Sequence, residues 1–399
     1  MISPLLLADL PASIPGWVPD VFTSLIKIFV LVNVILGLVS YTVMAERRIS
    51  AAIQDRIGPN RVGVPLGGVN ILGLFTMPKW TWWGLGQPLA DALKFMLKEE
   101  FTPAHVNKLY FWLAPAMAMV PALLTICVIP FSSTHDVTLP WGYVMKSPGV
   151  IADVGIGVLL VFSIASLSVY GIVLAGWSSN SKYSFLGGIR SSAQMISYEV
   201  SMGLSVIPLF LVMGNLRLAD VVDYQANYGW TALPFIAPHW PWHVLGSYVL
   251  WIPMLVSFLI FLVAAFAETN RLPFDLPESE TELVGGYHTE YSAMKFALFF
   301  LGEYAAMIVA SCLMVTLFLG GWSLPIAPYM ALQDSAWSLL IYPVVFLIKM
   351  CVFIVFFIWV RWTLPRFRYD QLMGLGWKYI LPIALANIVV TCVLLAWVG

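Results

Sequence analysis

The chain has 399 residues, of which 60% are hydrophobic and only 10% are charged, and its formal net charge is -1. Soluble domains contain roughly 45–50% apolar and about 25% charged residues. This chain therefore has too few charges to cover a water-facing core of its length, which excludes a soluble globular protein. The near-zero net charge says nothing further about partners.

Eight apolar runs are each long enough to cross the hydrocarbon core of a membrane, which requires about 20 mostly apolar residues. Segments rich in proline, glycine and charge separate these runs. Because backbone groups in lipid must be bonded within their own element, the runs can only be helices. The predicted fold is an all-α integral membrane bundle that forms a single domain over 1–399. The predicted spans are approximately 21–44, 109–131, 150–177, 190–213, 247–267, 293–320, 340–360 and 377–398.

The distribution of lysine and arginine predicts the orientation of the bundle. With the N-terminus outside, the inside loops hold 16 of the 20 basic residues, and the outside loops hold Lys146 and Arg217. The remaining two, Lys27 and Lys349, lie within spans. By the positive-inside rule, this bias predicts that both termini lie outside and that the long 45–108 loop is cytoplasmic.

The four cysteines, Cys127, Cys312, Cys351 and Cys392, each lie alone in an apolar span, and no C-x-x-C pair exists. This spacing argues against an iron–sulfur site. No G-x-G-x-x-G sequence lies between a strand and a helix, and no P-loop is present. We therefore expect the chain alone to bind no redox cofactor, no metal and no nucleotide.

The first inside loop, 45–108, contains two amphipathic patterns. Isoleucines at every fourth position from Ile49 to Ile57 predict a helix on the membrane surface that ends at the Gly-Pro pair 58–59. The segment 87–100 has a similar pattern of leucines on one side and charges on the other. Both helices could simply rest in the interface, with their basic residues meeting lipid headgroups.

Two further inside segments, 268–290 and 361–370, concentrate charge. The first has six carboxylates and a single Arg271, and Pro273 and Pro277 exclude a regular helix through its middle. It is either a solvated acidic loop or the wall of a water-filled cavity whose carboxyls titrate together. The second is also typical of an ordinary stop-transfer anchor. The charged residues are Glu268, Asp275, Glu278, Glu280, Glu282 and Glu290 in the first segment, and Arg361, Arg366, Arg368 and Asp370 in the second.

Two carboxyls lie deep inside predicted spans, where ionisable groups indicate function by default, whereas Asp153 lies near the outer end of the third span and could face water. Glu199 and Glu303 are about 13 Å and about 12 Å from the inner ends of the fourth and sixth spans, at 1.5 Å per residue. Each follows or precedes a tyrosine, Tyr198 or Tyr304, that we expect to be able to hydrogen-bond to it. They are either interhelical contacts or, being at equal depth above an acidic loop, part of a proton path.

Several long blocks of sequence carry a family resemblance. They are ERR…QDRIGPNRVG, QPLADALK, FAETNRLPFDLPESETELVGGYHTEYSAMKFALFFLGEYA (266–305), GGW (320–322) and RWTLPRFRYDQLM (361–373). These blocks closely resemble the H-type subunit of bacterial respiratory complex I, the proton-translocating NADH:quinone oxidoreductase, and its homologue, the first mitochondrially encoded subunit. The resemblance covers nearly the whole chain from the first span to the last.

The resemblance implies a non-redox membrane subunit that forms most of a quinone-binding chamber with the peripheral arm and links quinone reduction to proton translocation. Quinone would be the substrate, and flavin and iron–sulfur clusters would lie in partner subunits. The other implied partners are membrane-arm subunits and the lipid bilayer of the bacterial cytoplasmic (inner) membrane, with no nucleic acid. Carried over by motif, the chamber residues are Arg47, Arg48, Asp91, Arg361 and Arg366, and the proton-path residues are Glu199, Glu268, Asp275, Glu278, Glu280, Glu282 and Glu303.

The stretch 64–86 departs from the family pattern, which usually has only a short link between GPNRVG and QPLAD. Its residues Lys79, Trp80, Trp82 and Trp83 suit a membrane interface. The flanking motifs are intact, so the departure puts only the shape of the chamber entrance in doubt.

Two alternatives remain open from the sequence. A membrane subunit of a related hydrogenase-type complex would share much of the bundle, although the long acidic block and the GPNR motif argue against it. A proton-coupled secondary transporter would also have mid-span carboxylates, but it should show two repeated halves with broken helices, and no such self-similarity is present. The sequence does not distinguish ubiquinone from menaquinone.

Overall fold

The structure is a computed structural model that describes residues 17–60, 62, 70–71, 75–76, 84–132, 137–138, 144–145, 149–232, 245–276, 283–324 and 338–398. Two pairs of two-residue antiparallel strands are β1 (Asn70–Ile71) with β2 (Phe75–Thr76) and β3 (Val137–Thr138) with β4 (Val144–Met145). The α-helices are α1 (Trp17–Ile53), α2 (Gln87–Leu97), α3 (Lys108–Ile126), α4 (Gly157–Ser178), α5 (Lys182–Met213), α6 (Leu218–Tyr228), α7 (Leu245–Glu268), α8 (Ala293–Phe318), α9 (Ser338–Thr363), α10 (Tyr369–Gly374) and α11 (Leu381–Val398).

Eight helical segments of the described chain are long and apolar enough to cross a membrane. They are α1, α3, α4, α5, α7, α8, α9 and the continuous segment in which a π-helical turn (Leu375–Ile380) joins α10 to α11. Each overlaps one of the eight predicted runs, so the all-α membrane bundle is confirmed. The fourth of them, α5, begins earlier than predicted, at Lys182 rather than at 190. No proline interrupts the chain between these positions, and the two glycines there, Gly187 and Gly188, lie in close contact with neighbouring backbone, so tertiary packing outweighs their weak helix propensity.

The helix α8 forms the centre of the bundle, since 72% of its most apolar window is buried, against 22% for α1. Small residues allow neighbouring helices to approach closely, as is typical of membrane interfaces. A Cβ added at Gly171 on α4 would lie 2.6 Å from the backbone nitrogen of Ala118 on α3. The packing of α4 on α3 therefore requires glycine at this position.

The predicted surface helix after the first span is wrong. Instead, α1 continues as one helix to Ile53, and turns follow before Gly58. Between Met44 and Ile53 there is no glycine or proline, so nothing ends the helix where the apolar run ends. As a result, Glu46 and Arg47 lie on a rigid extension of the first span.

The second predicted amphipathic helix is present as α2, which has proline in its first turn and no buried residue. Its apolar side chains Leu89 and Leu97 are exposed, at 61% and 84%. The unusual stretch 64–86 lies mostly outside the described residues, apart from β1, β2 and 84–86.

The segment 268–290, which holds six carboxylates and which we call the acidic segment, begins where α7 ends, at Glu268. Asn270 follows with a φ of 51°, a left-handed conformation in which asparagine is common after a helix. The described residues 269–276 form turns without a helix, as the two prolines predicted, and a short 3-10 helix, Gly286–His288, precedes α8. Residues 277–282, which include Glu278, Glu280 and Glu282, lie outside the described residues.

Candidate functional site

A buried group of charges lies where the ends of α1, α7 and α9 meet α8. Arg271, 4% exposed, forms ion pairs with Glu46 at 3.6 Å and with Glu303 at 3.8 Å. Glu46 also pairs with Arg361, and the hydroxyl of Tyr304 donates a hydrogen bond to it at 2.6 Å. The Arg271 guanidinium lies 4.1 Å from the centre of the Tyr304 ring. We call these five residues the arginine–glutamate cluster.

The cluster connects the protein surface to the interior of the bundle. Arg361 is the most exposed of its charged members, at 24%, whereas the side chains of Glu46 and Glu303 are 8% and 11% exposed. Buried charges are tolerated when they are paired, because unpaired ions lose their hydration without compensation. The alternation of arginine and glutamate therefore offsets part of the cost of burying these side chains.

A second ion pair lies beside the cluster, between Arg366 and Asp275 at 3.1 Å. Burial raises the pKa of Asp275, although Arg366, Arg361 and Arg271 act in the opposite direction. One of its carboxyl oxygens, Oδ1, has no hydrogen-bond partner among the described residues, which fits a carboxyl that is incompletely solvated. Burial and the surrounding arginines therefore act on the pKa of Asp275 in opposite directions.

Arg47 and Asp91, two predicted chamber residues, form an ion pair at 2.7 Å that joins the end of α1 to α2. The side-chain amide of Gln87 donates a second hydrogen bond to Asp91, at 3.0 Å. Arg47 is 47% exposed, so this pair lies at the surface, and its Coulomb energy is strongly screened. Arg48 packs against the turn at Gly58, where an added Cβ would lie 3.3 Å from the Arg48 Cα.

An internal cavity of about 80 Å³ lies beyond the cluster, between α3, α4, α5, α7 and α8. Glu303 and Glu268 both line it, together with the polar residues Thr125, Ser168 and Asn270. A water molecule requires at least about 10–15 Å³ of such volume and two or more polar partners. The cavity is therefore large enough for several waters, and both carboxyls are among the polar groups that line it.

Glu199 lies next to this cavity on α5. Met195 and Met202 line the cavity, and Glu199 is four residues from one and three from the other, which places all three on one face of the helix. Glu199 is half-buried and lies within electrostatic range of Glu268. The structure thus brings two of the predicted path residues to the cavity and a third to its edge.

The predicted tyrosine partners of the two mid-span carboxyls are wrong. The Tyr198 hydroxyl donates to the carbonyl of Leu372 at 2.9 Å, and the Tyr304 hydroxyl donates to Glu46. Consecutive residues of a helix point in different directions, so a tyrosine beside a glutamate in the sequence does not face it.

Gln194 holds the acidic segment against α5. Its side-chain amide is fully buried and donates to the carbonyls of Ala267 and Phe274, both at 2.8 Å, and to the side chain of Asn270 at 3.2 Å. These bonds fix the turn that carries Glu268 and Arg271. Sequence reasoning did not single out this residue.

Two central members of the cluster were also missed as site residues. Glu46 lies in the ERR block, and Arg271 is the single basic residue among six carboxylates, but neither was assigned a role. A lone arginine in an acidic segment indicates an ion pair, and this signal could have identified Arg271. Glu46 gives no such signal, because its partners are far away in the sequence.

The comparisons with known proteins agree with this architecture. The model of the family described as NADH dehydrogenase matches residues 26–392. The chain is 44% identical over 383 residues to the second H-type subunit of the NADH-quinone oxidoreductase of Koribacter versatilis, covering 94% of this chain and 97% of that one. The chain belongs to the family of H-type subunits of NADH-quinone oxidoreductase. The resemblance predicted from the sequence blocks is therefore confirmed.

Other relatives extend this finding. The H-type subunit of Salinibacter ruber is 46% identical over 375 residues, covering 93% of this chain and 95% of the relative. The eighth subunit of the NADH-quinone oxidoreductase of Rhodothermus marinus is 46% identical over 376 residues, covering 93% and 96%. Together with the eight apolar helices, membership of this family makes the chain a multi-pass membrane component of an oxidoreductase complex.

Proposed function

We propose that the chain forms the membrane wall of a quinone chamber in a bacterial NADH-quinone oxidoreductase and passes protons inward from that chamber. The names of its relatives supply the reaction, and the arginine–glutamate cluster supplies the observation that carries the proposal. It is a continuous series of ionisable groups that begins at the partly exposed Arg361 and reaches the cavity lined by Glu303.

Reduction of a quinone to a quinol takes up equal numbers of electrons and protons. If the electrons come from partner subunits and the protons from groups around the chamber, those groups become more negative until they are reprotonated. Electrons would arrive through flavin and iron–sulfur clusters held by partner subunits. On the chamber side, Arg361 and the Arg47–Asp91 pair would shape the wall, with Arg48 and Arg366 beside them. A change of charge there would change the electrostatic potential at Glu46, Arg271 and Asp275. Two of the ion pairs of these residues are only 3.6 and 3.1 Å long, so their Coulomb energies are sensitive to a nearby charge.

Proton movement would follow the cavity. A proton that reaches Glu303 could pass to Glu268 through waters in the cavity and then towards Glu199. The acidic residues Glu278, Glu280 and Glu282 are proposed as further members on the basis of the family resemblance. We also propose the inner membrane as the location, with both termini outside, from the distribution of basic residues.

The test separates the quinone reaction from the electron input. Arg361→Ala and Asp91→Ala, introduced into the whole complex, should lower quinone-dependent turnover while NADH oxidation with an artificial electron acceptor stays at the wild-type rate. The matched control is Arg368→Ala, because the pair of Arg368 with Asp370 is 80% and 71% exposed and joins no other charge in the described chain.

Assembly is checked first on a native gel, because Arg361 also holds Glu46. Equal loss of both activities in a fully assembled Arg361→Ala or Asp91→Ala complex would contradict the chamber role. A loss of quinone turnover in Arg368→Ala as large as in Arg361→Ala would also contradict it, since a general effect of basic charge would then explain both.

A further inference from the structure

An apolar groove runs along α1 on the side that faces α9. Its volume is about 380 Å³, and it extends along α1 from Ile26 to Leu38. Val34 on α1 and Leu347 on α9 belong to its two walls. The groove lies apart from the arginine–glutamate cluster, which is at the other end of α1.

The length of the groove fits a hydrocarbon chain of one lipid leaflet. The helical steps from Ile26 to Leu38 make it about 18 Å long, which is close to half of the roughly 30 Å hydrocarbon core. A lipid acyl chain that lies along α1 would therefore occupy the groove over the depth of one leaflet.

One end of the groove is polar. Lys27 and Ser132 both line it there, close to where the membrane spans of α1 and α9 begin and that of α3 ends. Ser132 is 4% exposed, and its hydroxyl has no hydrogen-bond partner among the described residues. A buried hydroxyl without a partner is unfavourable, so this side chain favours a polar group of a ligand. The ammonium of Lys27 at the same end favours an anionic group.

We propose that this groove binds one acyl chain of a phospholipid, with the lipid phosphate beside Lys27 and Ser132. The chain then lies along Val30 and Val34 for the depth of one leaflet. Because only 22% of the most apolar window of α1 is buried within the described protein, the lipid completes the packing of this helix against α9.

The test uses the complete complex in vesicles of phosphatidylglycerol that carries a photoreactive diazirine in one acyl chain. After washing with unlabelled lipid and irradiation, labelled peptides are mapped by mass spectrometry. Label should remain on α1 at Val30 and Val34. Phe29, which is 70% exposed and does not line the groove, reports on exchangeable bulk lipid and should lose its label.

A groove-filling variant and a matched control complete the experiment. Val34→Trp should reduce the retained label by at least about tenfold, which corresponds to about 1.4 kcal/mol of lost affinity. Leu25→Trp adds a similar bulk to an outward-facing position of the same helix, 58% exposed, and should leave the label unchanged. If Val34→Trp does not assemble, Leu347→Trp narrows the groove from the opposite wall.

Three results would overturn the proposal. They are the absence of retained label in the wild-type groove, equal retention at Phe29 and Val34, and equal labelling of the tryptophan variants and the control. Lys27→Gln combined with Ser132→Ala should speed exchange of the labelled lipid, and an unchanged rate of exchange would also contradict the placement of the phosphate.

Discussion

Arg271→Met should destabilise the assembled complex because it leaves a buried carboxylate without its cation. Arg271 is 4% exposed, and each of its two ion pairs, at 3.6 and 3.8 Å, contributes an attraction of about 4 kcal/mol at an effective dielectric constant near 20. Glu46 keeps Arg361 as a partner after this substitution, whereas Glu303 has no other ion pair among the described residues. Removing one partner of a buried pair costs about 3–5 kcal/mol.

A loss of about 3–5 kcal/mol corresponds to an increase of at least about 100-fold in the fraction of complexes in which this region is unfolded. The assay is the rate at which the complex is lost on a native gel during heating at one temperature. Arg368→Met is the control, because an exposed pair contributes about 0–1 kcal/mol. The double variant Arg271→Met/Glu303→Gln removes both charges and should recover most of the lost stability, without recovering quinone turnover.

This double-variant result distinguishes the ion pair from simple packing of the arginine side chain. If the Arg271→Met complex is lost during heating no faster than the Arg368→Met complex, the ion pairs of Arg271 do not stabilise the assembled complex. If Glu303→Gln gives no recovery in the background of Arg271→Met, the two residues are not energetically coupled, and the reasoning from their distance is refuted.

Two further predictions concern the acidic segment. Gln194→Leu removes the buried amide that donates to Ala267, Asn270 and Phe274, and it should raise hydrogen exchange of residues 269–276 while lowering quinone turnover. Unchanged exchange would show that this residue does not hold the segment. Burial lowers the pKa of His288 from 6.5 to about 4, so the folded segment disfavours its protonated form, and stability is lost as pH falls between these values. Between about pH 7 and about pH 5, His288→Gln should lose less stability than the wild type, by on the order of 2 kcal/mol. The difference is measured as the change in the rate of thermal inactivation between these two pH values. An equal change in both forms would contradict this prediction.

The membrane bundle could be predicted from the sequence because hydrocarbon imposes a simple rule on length and polarity. A span must be long and apolar, and this pattern is local. The continuation of α1 to Ile53 could also be predicted, because no glycine or proline lies between Met44 and Ile53. Their absence is a stronger signal for the helix end than the end of the apolar run. The turns after Glu268 followed from two prolines in the same way.

The arginine–glutamate cluster could not be predicted because its contacts join distant segments. Arg361 and Glu46 are 315 residues apart in the sequence, and hydropathy does not say which spans are neighbours in the bundle. The cavity is lined by residues of several helices, and the sequence of a single helix contains no pattern that predicts it. By contrast, the directions of Tyr198 and Tyr304 followed from helix geometry, and the sequence prediction erred by treating adjacent residues as facing each other.

In the function that we propose, Glu303 and Glu268 carry protons across the cavity that they both line. The most direct measurement is proton pumping by the assembled complex in vesicles, with Glu303→Gln and Glu268→Gln prepared separately and each checked for assembly. Glutamine keeps the size and hydrogen bonding of a neutral carboxyl but cannot release a proton. We predict that each variant assembles, oxidises NADH normally with an artificial acceptor, and loses most of its pumping and quinone turnover. Wild-type pumping and quinone reduction in both variants would contradict the account.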